Sequence, residues 1–420
     1  MMVREGFQVK THSLATALLA AGFGLAATSV AGRAEDVIKI GVVAAESGSF
    51  VSAGNTIPAA ARLAAKEIND AGGVTVGGKT YKIQLEIRDD RTNIDTAIAA
   101  ARELVDDVGV KAIFGTESHD FSIAMAKITG PAKVLQFTGN SSLGSGLTDA
   151  SVAPGGPDHY VFQTEPQEFQ RSGSTAKGVL SLLTPLLPHP PKTSVVFVAN
   201  DLAGQYLSSH YVKALEADGQ KTSLVYYPPD TNDFTPLLTR IKGMHPDIVH
   251  LWYNGDETLI AYPQAVQLNV APAYFLFGVD PGVWRARKLT SSAPITLSCV
   301  PVCWGAPPTK KVADYFDRYF AMGAVKGVQS SVSLLYYDYL HWYAKALEAV
   351  GTLDNPDAVV DWMLKSKYDG VVSAVPLTFN AHHQVTFATE VCLVKPNTSD
   401  QFKCAVEQPP AAPPPGDPGG

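Results

Sequence analysis

Val37-Ile38-Lys39-Ile40-Gly41-Val42-Val43-Ala44 is a strand-length apolar run, and it breaks into Ala45-Glu46-Ser47-Gly48-Ser49-Phe50, where small and polar residues end the pattern. Asn55 or Thr56 can cap a helix beyond it, and Pro58 suits a first helical turn, which needs no amide donor. Ile57, Ala61, Ala64 and Ile68 then recur at helical spacing until Asp70-Ala71-Gly72-Gly73 stops the run. Tyr81 to Ile87 gives a second strand, and Ile94, Ile98, Ala101, Val105 and Val108 line one face of a second helix. A third strand, Lys111-Ala112-Ile113-Phe114-Gly115, ends in Thr116-Glu117-Ser118-His119. Alternation of strand and helix requires a parallel sheet covered by helices, and ligands of such sheets sit beyond the carboxyl ends of the strands. Ser47, Ser118 and His119 reach that edge and mark a binding crevice.

The pattern continues with a short helix over 121–129 and a fourth strand, Val134-Leu135-Gln136-Phe137, followed by Thr138-Gly139-Asn140-Ser141-Ser142. Small hydroxyl residues and amides at a strand's carboxyl end suit a carboxylate or another polar head; the alternative is a loop whose Ser and Asn bond their own backbone. Near Glu168 the alternation restarts, with strands at 194–199, 223–227 and 247–253 and helices between them. Its edge loops are residues 200–205, containing Asp201 and Ala203, and Asn254-Gly255-Asp256-Glu257. The fold class is therefore α/β, with two doubly wound parallel-sheet lobes.

Composition bounds the function. The chain has 420 residues, enough for two domains with cores, and a formal net charge of −7 with no basic block, which argues against nucleic acid as a partner. Residues 1–34 carry Arg4 and Lys10, then an apolar run and small residues, which reads as an export signal; no Cys lies there to take a lipid anchor. No later stretch approaches the roughly 20 apolar residues of a spanning helix, so a soluble, exported protein is expected. The cysteines are Cys299, Cys303, Cys392 and Cys404. Cys392 and Cys404 flank a turn-rich tip, which predicts a hairpin staple, and the spacing of the four favours disulfides or free thiols over zinc. Gly73 to Thr80 satisfies G-x-x-x-x-G-K-[ST], but a helix precedes it and a strand follows, the reverse of a phosphate loop. His382-His383 is expected at the surface, and His119 beside Ser118 and Asp120 cannot form a triad from one loop. No cofactor, metal or catalytic group is predicted, and residues 409–420, rich in Pro and Gly, are expected to be disordered.

Ile38 to Gly54, then Lys66-Glu67-Ile68-Asn69-Asp70-Ala71-Gly72-Gly73, Asp89-Asp90 and Phe114-Gly115, resemble the type I periplasmic solute-binding proteins of ABC importers, in the leucine/isoleucine/valine-binding branch. The resemblance runs from about residue 37 to 387. It implies a monomeric, exported receptor that closes two lobes over a small molecule, such as an amino acid, amide or aromatic acid, and delivers it to a permease in the inner membrane. An extracellular sensor module of the same fold is the alternative. His159 to Thr164 resembles the first crossover between lobes, with Gln163 in place of the usual Arg; Gly278-Val279-Asp280-Pro281-Gly282 resembles the second, and Tyr368-Asp369-Gly370-Val371 the last. These place the first lobe at 35–160 and 283–370, the second at 161–282 and 371–407, and a tail at 408–420. The resemblance makes Ser47, Phe50, Ser118, His119, Asn140, Ser141, Tyr160, Asp201, Ala203, Glu257 and Asp280 the ligand-contacting set. Ala203 replaces a Tyr that usually reaches the ligand, which enlarges the pocket, and Phe50, Trp252 and Tyr253 are expected to line it. Glu257 falls where an acid pairs with a ligand ammonium; otherwise it is a first-turn acid favoured by the helix dipole.

Overall fold

The computed structural model describes residues 36–48, 51–116, 118–139, 147–164, 166–229, 231–252, 256–279, 281–299, 310–322, 332–372, 376–386 and 388–417. The export signal read from residues 1–34 lies outside them.

Two sheets carry the fold. The first contains β1 (Val37–Ala44), β2 (Val74–Val76), β3 (Lys79–Asp89), β4 (Ala112–Phe114), β5 (Leu135–Thr138) and β6 (Val161–Gln163) in the order β2-β3-β1-β4-β5-β6. All its pairings are parallel except β2 with β3, a hairpin through Gly77 and Gly78, both at positive φ. That hairpin occupies the pseudo-phosphate-loop sequence. The strand β1 is central, paired on both sides and buried from Ile40 to Ala44, which is why its sequence is almost continuously apolar rather than alternating.

The second sheet contains β7 (Thr193–Ala199), β8 (Lys221–Tyr227), β9 (Ile248–Leu251), β10 (Ala273–Leu276), β11 (Ile295–Cys299), β12 (Thr389–Val394) and β13 (Phe402–Glu407), ordered β13-β12-β11-β10-β9-β7-β8. Strands β7 to β11 pair in parallel, while β12 and β13 add an antiparallel edge. Taking the parallel strands alone, both sheets show one order: second, first, third, fourth, fifth. Each is doubly wound, and each has its switch point between its first and third parallel strands.

Helices α1 (Val51–Gly54), α2 (Thr56–Asp70), α3 (Ile94–Arg102), α4 (His119–Thr129) and α5 (Asp149–Val152) belong to the first half of the chain. Helices α6 (Glu168–Leu183), α7 (Leu202–Ala217), α8 (Thr235–Lys242), α9 (Asp256–Gln267) and α10 (Pro281–Ala286) accompany the second sheet. Helices α11 (Lys310–Ala321), α12 (Val332–Val350) and α13 (Pro356–Lys365) return to the first. Asn55 sits at the start of α2 without a side-chain capping bond, because the chain enters directly from α1 in helical conformation. On α12 the stripe Leu335, Tyr339, Trp342 and Ala346 is fully buried in the first core, as its spacing predicts. Cys392 and Cys404 face each other across β12 and β13 and are disulfide-bonded.

Three boundaries differ from the sequence expectation. Val161–Gln163 is the last strand of the first sheet, so the chain leaves that lobe after Gln163 rather than near Tyr160. Ile295–Cys299 pairs with β10 and β12, and Trp284 packs in the second core, so the return falls after residue 299 rather than near Asp280. Leu377, Phe379 and Val385 are buried in the first core, where Phe379 stacks on Trp342 at 4.7 Å. The last crossover therefore lies beyond Val385 rather than near Val372. The tail also departs from expectation: Asp417 is buried against His210, Nδ1 to Oδ1 2.7 Å, so residues 408–417 lie on the second lobe.

Candidate functional site

In a doubly wound sheet the strand order reverses at one gap, and the loops leaving the carboxyl ends of the strands beside that gap diverge to opposite faces, opening a crevice. In the first sheet the gap lies between β1 and β4, whose following loops carry Ser47 and Ser118. In the second it lies between β7 and β9, followed by Asp201 and by the helix that bears Glu257. Four of the sequence-predicted residues thus sit at the two reversal points.

Their hydrogen bonds refine the chemistry. Ser47 Oγ donates to Asp89 Oδ2 at 2.6 Å and its amide to Asp89 Oδ1 at 3.2 Å. With its proton committed, the hydroxyl can only accept from a ligand, and Asp89 at the end of β3 brings negative charge to this edge. Partial burial works to raise the Asp89 pKa, but hydrogen bonds from Ser47 and from the Arg91 amide outweigh it and hold the carboxyl below its usual range. Its neighbour Asp90 is fully buried; it accepts from the Thr116 hydroxyl at 2.7 Å and the Thr92 amide at 2.8 Å, and burial raises its pKa. Ser118 is the N-cap residue of α4, makes no side-chain capping bond and is half-buried. His119 opens α4, with its backbone in the first turn. The amide of Gly139, beyond the end of β5, donates to the Tyr336 hydroxyl at 2.8 Å.

On the second sheet, Asp201 caps α7 by accepting from the Gly204 amide at 2.7 Å. Glu257 accepts from the hydroxyl of Tyr227, the last residue of β8, at 3.1 Å. The sequence assigns no site role to Asp89, which it offers only as part of the family resemblance, or to Tyr227, which it offers only as a strand end, although both lie at carboxyl ends of strands and that position alone could have found them. Ala203 lies in the first turn of α7. Phe50, Asn140, Ser141, Tyr253 and Asp280 lie outside the described residues.

Two expectations fail on geometry. Tyr160 precedes β6, at the amino end of a parallel strand and so on the edge opposite the crevice; its hydroxyl donates to Asp357 at 2.6 Å. Trp252 does not line a pocket: it is fully buried, stacked on Tyr211 at 3.7 Å and Phe277 at 4.3 Å. Aromatic residues at strand ends are here spent on the core. The second lobe also holds a buried polar chain, with the Tyr211 hydroxyl 2.9 Å from His250 Nδ1 and Ser194 Oγ 3.1 Å from His250 Nε2. Burial drives the His250 pKa down to about 3, so it stays neutral and structural. Among the described residues one group of potential metal donors occurs, Glu390 with Cys392 and Cys404, and its two sulfurs are bonded to each other.

The sequence profile of the periplasmic binding protein family matches residues 37–398. The chain belongs to that family. Its architecture is the type I form, and the chain is similar to Leu/Ile/Val-binding proteins. Leu/Ile/Val-binding protein homolog 8 of Brucella suis biovar 1 (strain 1330) is 26% identical over 269 residues, which span 63% of this periplasmic binding protein and 64% of the relative. Among solved structures, a solute binding protein of an ABC transporter from R. palustris in complex with benzoate has a TM-score of 0.71 at 16% identity, covering 90% of this chain and 98% of that one. The branched-chain amino acid transporter substrate binding protein LivJ of Streptococcus pneumoniae, in complex with isoleucine, has a TM-score of 0.68 at 20% identity, covering 89% and 100%. Among the described residues of this family member no helix is long and apolar enough to cross a membrane.

Proposed function

We propose that this periplasmic binding protein is an exported, soluble, monomeric receptor that captures a small polar-headed organic molecule between its two lobes and delivers it to an ABC permease in the inner membrane. The observation that carries the reading is the coincidence of polar residues with the reversal point of both sheets, Ser47 and Ser118 on one and Asp201 and Glu257 on the other. Ser118 at the head of an eleven-residue helix suits a carboxylate, since helix amides and dipole favour negative charge there. Glu257, held by Tyr227, and Asp89, held by Ser47, suit an ammonium or an amide donor. Amino acids satisfy both ends, and amides or aromatic acids satisfy one; similar proteins are described with isoleucine and with benzoate. No step of bond making is needed for this work, and the residues hold and orient a solute rather than transform it.

A thermal-shift screen of leucine, isoleucine, short amides, benzoate and hydroxybenzoates tests the proposal. A ligand bound only by the folded state at about a hundred times its Kd stabilises by about 2.7 kcal/mol, a shift of several degrees. At least one compound class should give it. No shift from any class at millimolar concentration would count against a solute receptor of this kind.

A further inference from the structure

Gln384 lies just before the last crossover and is completely buried. Its backbone pairs in parallel with Gln163, the last residue of the first sheet: the Gln163 amide donates to the His383 carbonyl at 2.9 Å and the Val385 amide to the Gln163 carbonyl at 3.3 Å. Its side chain reaches further. Nε2 donates to Gln163 Oε1 at 3.4 Å, while Oε1 accepts from Gln167 Nε2 and, at 3.3 Å, from Asn380 Nδ2. Gln163 and Asn380 belong to the first lobe, but Gln167 is the N-cap residue of α6 in the second. One buried amide thus joins the exit from the first lobe, the final crossover and the leading helix of the second.

The choice of residue matters. A buried amide must satisfy both its donor and its acceptor ends. Gln163 meets the donor end of Gln384, and its acceptor end is shared between Asn380 of the first lobe and Gln167 of α6, the bond to Gln167 being the shortest of the three and the one that crosses between lobes. The turn before it is itself held. Asn380 Oδ1 accepts from the amides of His382 and Gln384, both at 2.9 Å, and the buried His383 ring stacks on Phe162 at 4.9 Å. Gln384 therefore presents its amide from a fixed platform on the first lobe.

We infer that Gln384 is the positioning residue of the hinge: its side-chain amide couples the first and last crossovers so that the lobes move as rigid bodies about one defined axis. The inference rests on the two-lobe receptor reading but needs no ligand for its test. Gln384→Met keeps the side chain's length and removes both hydrogen-bonding ends. Hydrogen exchange followed by mass spectrometry on the full mature chain should show peptides over 161–172 and 380–389 exchanging at least tenfold faster than in the parent. Peptides from β1 and β7 should be unchanged. Small-angle scattering of the ligand-free variant should show a broader distance distribution at unchanged mass.

Exchange that rises equally in both lobe cores, or does not rise at the crossovers, overturns the inference. If Gln384→Met does not fold, Gln167→Met removes only the bond to α6, and the same local rise around 161–172 is required of it. A protein that fails every ligand in the thermal-shift screen yet shows the local rise separates a wrong solute reading from a wrong hinge.

Discussion

Asp338 on α12 offers a strong test of how this core handles charge. The carboxyl is completely buried, accepts from the amides of Val371 at 2.9 Å and Val372 at 2.6 Å, and leaves no room for a Cβ on Gly370, which would sit 2.3 Å from Oδ2. Burial pushes its pKa up to about 7, against the pull of those two amides and of Lys311. A carboxyl that binds its proton more tightly when folded contributes stability that is fully present below its unfolded pKa near 4 and is lost as pH rises through 7. Between about pH 4.5 and about pH 7.5 that loss is about 3 kcal/mol. Asn at this position does not titrate, so Asp338→Asn removes the pH-dependent part. It also leaves one amide donor facing another, a constant cost of about 1–3 kcal/mol. Urea denaturation of both proteins across this range measures the difference. The deficit of the variant should be largest at low pH and shrink by about 3 kcal/mol toward the top of the range. A deficit independent of pH would refute a buried carboxyl that titrates near neutrality.

Other outcomes follow from the same structure. The His383 ring is held neutral by burial, with its pKa lowered to about 4, so its contribution is complete above its unfolded pKa and is lost as pH falls from about 6.5 to 4. His383→Phe should flatten the acid limb of the stability curve, and an unchanged limb would exclude it as the titrating group. Removing the Cys392–Cys404 disulfide by double alanine substitution opens a short loop and should cost about 3 kcal/mol, read as a lower denaturation midpoint; peptide mapping that finds two free thiols in protein from an oxidising compartment would contradict the bond. If Glu257 pairs with an ammonium, Glu257→Gln should weaken an amino-acid ligand by about 2 kcal/mol or more and leave a ligand without an amine nearly unaffected, as calorimetry would show. Equal losses for both would leave Glu257 as a helix-start acid.

Much of the architecture was legible because parallel strands buried on both faces write themselves as unbroken apolar runs. Val37–Ala44, Thr193–Ala199 and the stripe on α12 could be read directly. The crossovers could not, because their position depends on which core receives a short segment. Leu377, Phe379 and Val385 have no periodicity of their own, and only their burial in the first core, where Phe379 meets Trp342 and Phe162, assigns them to the first lobe. Ile295–Cys299 is an ordinary strand whose neighbours in the sheet, not its sequence, decide its lobe. His383 looked exposed because it follows a turn; it is buried because its left-handed backbone, with φ of 58°, swings the ring onto Phe162. The Pro/Gly tail looked disordered because nothing in it announces a core, yet Asp417 finds His210. At the crevice, strand ends located Ser47, Ser118, Asp201 and Glu257. The direction of the Ser47 proton was hidden, because it depends on Asp89, 42 residues away.

Small-angle scattering on the mature protein, with and without a saturating compound from the thermal-shift screen, tests lobe closure over a solute most directly. Hinge bending brings two rigid lobes together, so the radius of gyration should fall on saturation while the mass stays that of a monomer. A compound that binds at one-to-one stoichiometry and leaves the radius unchanged would contradict capture between the lobes.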